Sequence, residues 1–288
     1  MVLSGGGARG MAHIGVIEEL EKRGYQITSV AGTSMGSLVG GVYAMGKMEE
    51  FKDWLYELDR FKVMKLVDLT LGKQGLVKGD KILTTLQEFI SDHKIEELEL
   101  PYLAVAVDIM HKKEVVIDKG SVYSAIRASI SIPTVFTPVK SSDGLLVDGG
   151  IMNNIPVNHV ARTRGDKLIA VDVNSDVPVD KPEKPDKSRV EETSGTKKLM
   201  SKIQKRLRRI NPIPENDGMG YFDLLHRTIN LMTRQIAQHS MEKNPPDLLI
   251  QTSEEACGTF EFFRAEEIVE MGRYAAIKKL DEFEKKKK

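Results

Sequence analysis

The sequence is poor in cysteine and has neither a long apolar run nor an excess of charge of one sign. Among 288 residues the one cysteine, Cys257, excludes an internal disulfide and a cysteine-rich metal site, and it fits a reducing compartment. No apolar stretch approaches the roughly 20 residues that span a bilayer, and the first residues lack a cationic region before an apolar core. We therefore expect a soluble, cytoplasmic protein.

Charge is balanced over the whole chain, with 42 Lys and Arg residues against 42 Asp and Glu residues. No global field draws such a chain onto nucleic acid or an anionic bilayer, so we expect no nucleic-acid partner and only local electrostatic contacts. Residues 197–210 are a local exception, since apolar residues recur there at helical spacing among basic ones without an acid. The segment is interpreted as a lid or a contact with the inner membrane surface, as a surface helix packed on the core, or as an oligomer contact.

Short apolar runs alternate with helical patterns at the start of the chain. Val2 and Leu3 are followed by a helical run that ends at Gly24, then by ITSVAG and a second helical run. This order implies parallel strands joined by crossover helices, hence a layered α/β fold. Further strand candidates, spread over the chain as one domain of residues 1–288 would have them, are 102–108, 114–118, 144–148, 167–173 and 247–252. Residues 176–196, rich in Pro, Lys, Glu and Ser, are predicted to form a mobile polar loop.

Glycine dominates the N-terminal stretch SGGGARG, in which Gly5, Gly7 and Gly10 match the G-x-G-x-x-G pattern of a dinucleotide-binding loop. A dinucleotide site also requires an acidic residue at the end of the second strand, where it holds the ribose hydroxyls. That strand ends instead in VAGTS, without an acid. Dinucleotide binding is therefore an alternative with weak support.

The second strand leads into GTSMG, a G-x-S-x-G sequence followed by a helical run. In this context a sharp strand-to-helix turn lifts the hydroxyl of Ser34 out of the sheet. Gly32 and Gly36 leave room for the turn, and the next helix directs its free N–H groups and positive dipole end at charge near the serine. We interpret Ser34 as a nucleophile. A Gly-rich turn with a serine N-cap is the alternative.

A serine nucleophile needs hydrogen-bond donors for the oxyanion of its intermediate. Adjacent parallel strands would bring the glycine loop beside Ser34, so amides of both turns can converge on one oxygen. The predicted oxyanion donors are the amides of Gly5, Gly6, Gly7 and Met35. Arg9 is expected to brace this loop, to meet an anionic head group, or to be an ordinary surface residue.

The serine also needs a base, and none of the six histidines stands out. His159 follows an Asp-Gly-Gly turn but lies in a helical pattern, where a structural histidine is the simpler interpretation. Three aspartates end apolar strands, namely Asp108, Asp148 and Asp172. Gly149 and Gly150, which follow Asp148, let another backbone or a substrate approach closely and favour this aspartate.

Together these stretches resemble the patatin-like phospholipase family, in particular its compact bacterial members. SGGGARG is similar to the family's oxyanion loop, GTSMG to its nucleophile elbow, DGGIMNNIP to its Asp-Gly-Gly motif, and ASISIPTVFTPV to the segment before that aspartate. The similarity spans about residues 1–175 and resumes at DLLIQT. It implies a three-layer α/β/α sandwich with a mostly parallel sheet, a Ser34–Asp148 dyad without histidine, a lipid or other acyl ester as substrate, and neither cofactor nor metal.

A dyad makes a demand on its aspartate, because a carboxylate with an ordinary pKa of about 4 is a weak base for a serine hydroxyl at neutral pH. Partial desolvation in an apolar pocket would raise the pKa of Asp148, and a short hydrogen bond to Ser34 would orient it. The expected chemistry is ester hydrolysis of the phospholipase A, lysophospholipase or esterase type. A non-catalytic module that binds a lipid or a dinucleotide is the alternative.

Overall fold

The computed structural model describes residues 1–66, 80–133, 135–180 and 221–285. The chain divides into two compact units, one of Met1–Pro182 with Thr233–Lys288 and one of Glu183–Met232. Of the second unit, residues 221–232 are described and are helical. The basic segment 197–210 and most of the loop 176–196 lie outside the described residues. One domain over residues 1–288 therefore stays a prediction.

An eight-stranded sheet forms the centre of the first unit. Its strands are β1 (Val2–Leu3), β2 (Val30–Thr33), β3 (Tyr102–Asp108), β4 (Lys113–Ile117), β5 (Val139–Lys140), β6 (Leu145–Asp148), β7 (Ile169–Ser175) and β8 (Leu248–Ser253). The order is β5-β6-β3-β2-β1-β7-β8, and β4 also pairs with β3. β1, β2, β3, β7 and β8 are parallel, whereas β4, β5 and β6 pair antiparallel. The sheet is mixed but mostly parallel, as predicted.

The strands lie where apolar runs predicted them. The expected strand 102–108 coincides with β3, and the other candidates correspond to strands whose ends differ by a few residues. β5 was not predicted, because two residues carry too little pattern to stand out from a loop. β1 is equally short, yet it lies in the middle of the sheet, and both of its side chains are fully buried.

Helices and connecting segments cover both faces of the sheet. The helices are α1 (Ala12–Lys22), α2 (Met35–Ala44), α3 (Met48–Tyr56), α4 (Arg60–Leu66), α5 (Asp80–Gln87), α6 (Val122–Ser129), α7 (Tyr221–Lys243) and α8 (Ala265–Lys285). α1, α2, α3, α6 and α8 contribute to the larger core on one face, and residues 155–160 with the C-terminal part of α7 form the smaller core on the other. This is the expected three-layer α/β/α arrangement. None of the described helices has the length and apolarity needed to cross a membrane.

α1 illustrates how the sequence sets an element. Its apolar residues Val16, Ile17 and Leu20 are fully buried, as their helical spacing predicts. The helix is closed by Gly24, which has a φ of 81° and donates its N–H to the carbonyl of Glu21 at 2.8 Å. Glycine adopts this left-handed conformation without the steric cost that a Cβ imposes.

Candidate active site

Two strands meet end to end along one edge of β3. β4 pairs with the other edge of β3, so β2 and β6 share the first edge. β2 ends with Thr33 opposite Val105, and β6, which runs in the opposite direction, ends with Asp148 opposite Ala106. Ser34 follows Thr33 directly. The sheet therefore brings together the serine and the aspartate that the sequence singled out.

Ser34 has a backbone conformation that residues other than glycine rarely adopt, with φ of 52° and ψ of −125°. Such a conformation costs about 1–3 kcal/mol and persists where the surroundings enforce it. The N–H of Ser34 donates to Ser129 Oγ at 2.8 Å, and Ser129 Oγ donates to the carbonyl of Val105 at 2.6 Å. Because this hydroxyl both donates and accepts, Ser129 ties the strained turn to β3.

The turn around Ser34 requires glycine on both sides. A Cβ at Gly32 would collide with the carbonyl oxygen of Gly36, and a Cβ at Gly36 would collide with the carbonyl oxygen of Leu3. The backbones of β1, β2 and α2 therefore touch at this point. The ten-residue helix α2 begins directly after Ser34, so the positive end of its dipole lies at the hydroxyl-bearing residue.

Two further glycines of the motifs allow close approaches near the serine. A Cβ at Gly10 would lie 2.7 Å from the Cβ of Met35, and a Cβ at Gly149 would collide with the carbonyl oxygen of Val105. Any larger residue at either position would push the glycine loop or the Asp-Gly-Gly turn away from Ser34.

Asp148 is buried and only partly hydrogen-bonded. Its N–H donates to the carbonyl of Ser131 at 2.9 Å, and its Oδ1 accepts the N–H of Gly150 at 2.8 Å. Its Oδ2 has no hydrogen-bond partner among the described residues. Burial raises the pKa of the Asp148 carboxyl to about 6, while the side chain of Ser34 and the amide of Gly150 oppose the increase. The Ser34 side chain is thus close enough to affect the carboxyl without a full hydrogen bond to Oδ2.

The other two candidate aspartates are engaged in their own turns. Asp108 Oδ2 lies 2.7 Å from His111 Nδ1, and this hydrogen bond is the largest of the contacts that lower the pKa of Asp108 to about 2. Asp172 accepts the N–H of Asn174 at 3.0 Å and the hydroxyl of Ser175 at 2.7 Å. Both carboxylates are therefore occupied by partners of their own.

The described histidines make no hydrogen bond to Ser34 or Asp148. His159 Nε2 lies 3.0 Å from Glu114 Oε1. His13 is fully buried beneath the glycine loop, and its Nε2 donates to the carbonyl of Ser4 at 2.8 Å. Burial lowers the pKa of His13 to about 4, so this ring is neutral and supports the loop.

The glycine loop differs from the expectation at its first residue. The N–H of Gly5 donates to the carbonyl of Asn154 at 3.1 Å, so it is not available to an oxyanion. By contrast, the N–H groups of Gly6, Gly7 and Met35 have no acceptor among the described residues. Sequence reasoning assigned Gly5 a donor role because it could not show that the segment after β6 returns to pair with this loop.

Arg9 braces the glycine loop from outside. Its Nε and Nη2 donate to Asn174 Oδ1 at 3.1 and 2.9 Å, and its Nη1 donates to the carbonyl of Cys257 at 3.3 Å. Asn174 Nδ2 donates in turn to the carbonyl of Gly5 at 2.6 Å. Three roles were expected for Arg9. Its contacts support the bracing role, because the guanidinium is hydrogen-bonded to the protein.

Ser34 lines an apolar pocket whose empty space, with the part open to solvent, measures about 730 Å³. The wall comes from helices α2 to α5, from residues 130–136 and from residues 259–262, and it includes Leu38, Phe51, Trp54, Val63, Ile82 and Phe260. Besides Ser34, Thr259 is the polar side chain among the described lining residues. Such a pocket accommodates a long apolar group rather than a nucleotide. No group of His, Cys, Asp or Glu suited to a metal ion occurs in the described part of the chain.

Sequence reasoning missed the residues that hold the pair in place. Ser129 accepts the N–H of Ser34, and the carbonyl of Ser131 accepts the N–H of Asp148, so one short segment at the end of α6 binds both. Its available signal was the stretch ASISIP, which was noted for its family resemblance alone. Asn154, which anchors the glycine loop, lies in the stretch DGGIMNNIP, which was likewise noted for its family resemblance alone. Asn174, the other anchor, had no signal that set it apart from other asparagines.

Ser129→Ala tests this segment. Removing the hydroxyl leaves the buried N–H of Ser34 and the carbonyl of Val105 without a partner, which costs about 1–3 kcal/mol. We expect a lower free energy of unfolding. Because the strained turn loses its tether, we also expect kcat for the ester hydrolysis that the sequence predicts to fall about tenfold or more. Thermal unfolding and steady-state kinetics measure both. Ser124→Ala, at an exposed position of α6, is the control; an unchanged kcat in Ser129→Ala would restrict Ser129 to a stabilising role.

The chain is similar in sequence to known proteins. The family model described as patatin-like phospholipase matches residues 1–161. An uncharacterised NTE family protein of Mycobacterium tuberculosis is 32% identical over 99% of this chain and 91% of its own length. Lysophospholipase NTE1 of Kluyveromyces lactis is 34% identical over 61% of this chain and 12% of its own length. Patatin-like phospholipase domain-containing protein 6 of Mus musculus is 36% identical over 61% of this chain and 13% of its own length.

The matched region contains the glycine loop, the turn at Ser34 and the Asp-Gly-Gly turn. The chain belongs to the patatin-like phospholipase family.

Proposed function

We propose that the chain hydrolyses carboxylic esters of lipids, with Ser34 as nucleophile and Asp148 as its base. The junction of β2 and β6 carries the proposal, because it brings a strained serine next to a buried carboxylate beside an apolar pocket. Membership of the patatin-like phospholipase family supports a lipid ester as substrate. The names of the yeast and mouse relatives favour a phospholipid or a lysophospholipid.

In the first half of the reaction Ser34 Oγ attacks the carbonyl carbon of the ester. Asp148 Oδ2 accepts the hydroxyl proton. Oδ2 has no hydrogen-bond partner in the described part of the chain, and the pKa of the carboxyl is about 6, so it is suited to this role. The tetrahedral intermediate then expels the alcohol, which takes the proton back from Asp148. The products of this step are the free alcohol and an acyl ester on Ser34.

The negative charge on the carbonyl oxygen needs donors that are already oriented. We assign this role to the N–H groups of Gly6, Gly7 and Met35, which have no acceptor among the described residues. The positive end of α2 adds to the same field. Gly5 positions the loop through its bond to Asn154.

In the second half a water molecule attacks the acyl ester. Asp148 accepts a proton from the water, and the collapse of the second tetrahedral intermediate returns that proton to Ser34 Oγ. A fatty acid leaves and the enzyme is restored. One carboxyl therefore acts as base and acid in both halves, without a histidine.

The pocket is the proposed site of the acyl chain. Its wall is almost wholly apolar, as is typical of pockets that bind apolar ligands. Each methylene transferred from water to such a wall stabilises the complex by about 0.8 kcal/mol. We therefore expect esters of long acyl chains to be better substrates than esters of short ones.

Filling the pocket tests this function. In Ile82→Trp the larger ring occupies space at the pocket wall and excludes three or four methylenes of a long acyl chain. We expect kcat/KM for a dodecanoyl ester to fall roughly 100-fold. A butanoyl ester should be hydrolysed as before. Rates with nitrophenyl esters of increasing chain length measure the effect. Thr84→Trp, at an exposed position of the same helix, is the control. Equal losses for short and long esters would show that the pocket does not hold the acyl chain.

A further inference from the structure

α4 lies at the pocket with two faces of different character. Val63 and Leu66 line the pocket. Phe61 and Met64 point away from it, with 63% and 43% of their surfaces exposed. Phe61 and Met64, three residues apart on one helix, form an exposed apolar patch beside the pocket, and such patches mark contact sites.

The exposed face of α4 also carries positive charge. Its sequence RFKVMKL contains three cations and no acid. Lys65 Nζ lies 4.4 Å from the centre of the Phe61 ring, and Lys62 is half exposed. The neighbouring acids are Glu57, whose carboxylate is 3.5 Å from Lys62 Nζ, and Asp59, which caps the backbone N–H of Lys62. Glu261, which interacts with Arg60, is a third acid nearby. The positive charge is thus a property of α4 itself, which carries cations and no acid in a chain that is neutral as a whole.

α4 is tied to the body of the protein from behind. The guanidinium of Arg60 lies over the ring of Phe263 at 4.5 Å from its centre. Since Val63 is buried as well, the helix presents Phe61 and Met64 from a supported position. Apolar side chains flanked by lysines are the pattern of a segment that lies in the interface of a membrane.

We propose that α4 docks the protein on the surface of an anionic phospholipid bilayer. Phe61 and Met64 enter the boundary of the acyl region, and Lys62 and Lys65 contact lipid phosphates. Charge complementarity favours an anionic bilayer as the partner. Docking would also serve hydrolysis, since an acyl chain leaving the bilayer passes from the outer face of α4 to Val63 at the pocket. This role in hydrolysis rests on the proposed function, whereas the docking itself does not.

Vesicle sedimentation with the Ser34→Ala protein measures docking without turnover. We expect binding to vesicles of phosphatidylglycerol and phosphatidylcholine, and a loss of affinity of about tenfold or more in Phe61→Ser/Met64→Ser. Ile109→Ser/Met110→Ser is the matched control, because these residues are 49% and 65% exposed at the turn between β3 and β4. No binding by Ser34→Ala, or equal losses in both double variants, would overturn the proposal.

A second variant removes charge without removing apolar surface. Lys62→Gln/Lys65→Gln should bind the anionic vesicles about 25-fold more weakly, at roughly fivefold per lysine, and should bind pure phosphatidylcholine vesicles as its parent does. Added salt should weaken the parent more than the variant. If replacing both lysines leaves the affinity unchanged, the protein does not dock on anionic lipid. A change of oligomeric state in Phe61→Ser/Met64→Ser would also contradict the proposal, because it would assign this face to a second copy of the chain.

The activity of the native protein separates this proposal from the proposed function. With Ser34 present, the Phe61 and Met64 variant should hydrolyse a dissolved butanoyl ester at the parental rate and vesicle lipid about tenfold more slowly. If no ester is hydrolysed while sedimentation still depends on α4, the function fails and the docking stands. If dissolved esters are hydrolysed while sedimentation with vesicles does not depend on α4, the function stands and the docking fails.

Discussion

Ser34→Ala is expected to lower kcat for ester hydrolysis by roughly 10⁴- to 10⁶-fold, the range found when a catalytic serine or its partners are removed in other hydrolases. The reason is that the variant has no hydroxyl to form the acyl ester, while the amides and the pocket remain. Residual activity above water would come from the oriented donors alone. Steady-state rates with a dissolved nitrophenyl ester measure the loss.

A fluorophosphonate probe followed by mass mapping identifies the reacting residue directly. We expect the label on the peptide that contains Ser34 in the native protein and no label in Ser34→Ala. Ser124→Ala, which alters an exposed hydroxyl of α6, should react as the native protein does. Labelling of a different serine, or full turnover without Ser34, would remove this residue from the mechanism.

Asp148→Asn is expected to lower kcat by roughly 10⁴-fold, because an amide cannot accept the proton of Ser34. In the native protein kcat/KM should rise with pH through about 6, where the buried carboxyl loses its proton, since the pKa of Asp148 is raised to about 6 by burial. A pH–rate profile of the native protein and rates of the variant test both parts. A profile that is flat between pH 5 and 8, or a variant that keeps its rate, would exclude Asp148 as the base.

The same substitution should stabilise the fold at neutral pH. The pKa of Asp148 rises on folding from the ordinary value of 3.8 to about 6, so the folded state holds a proton that the unfolded state has released. The free energy of unfolding therefore falls as the pH rises through this window, by up to about 3 kcal/mol. Asparagine does not ionise. Urea unfolding should show Asp148→Asn to be the more stable protein at pH 8 and the two to be alike at pH 3.

Local patterns were sufficient for much of the fold. The apolar run at 102–108 and the helix closed by Gly24 follow from residue spacing and from the conformational freedom of glycine. The turn at Ser34 was predictable for the same reason, because G-x-S-x-G between a strand and a helix admits few backbone geometries. These features depend on residues that are neighbours in the chain.

Features that depend on distant parts of the chain were not predictable. The pairing of Gly5 with Asn154 and the tether from Ser129 to Ser34 each join segments far apart in sequence. The pocket wall is a similar case: α3, α4 and α5 show ordinary amphipathic patterns, which do not indicate that their buried faces leave a space beside Ser34. Burial, and with it the pKa of Asp148, is likewise a property of the assembled fold.

The end-to-end meeting of β2 and β6 has a consequence for how such a protein can diversify. Thr33, the residue before Ser34, and Asp148 pair with consecutive residues of β3, Val105 and Ala106. The distance between Ser34 and Asp148 is thus set by two consecutive residues of β3. The many residues that connect Ser34 to Asp148 in the chain do not affect this distance. Insertions between α2 and β3 can therefore reshape the pocket and change the choice of substrate, while the relative position of Ser34 and Asp148 stays the same.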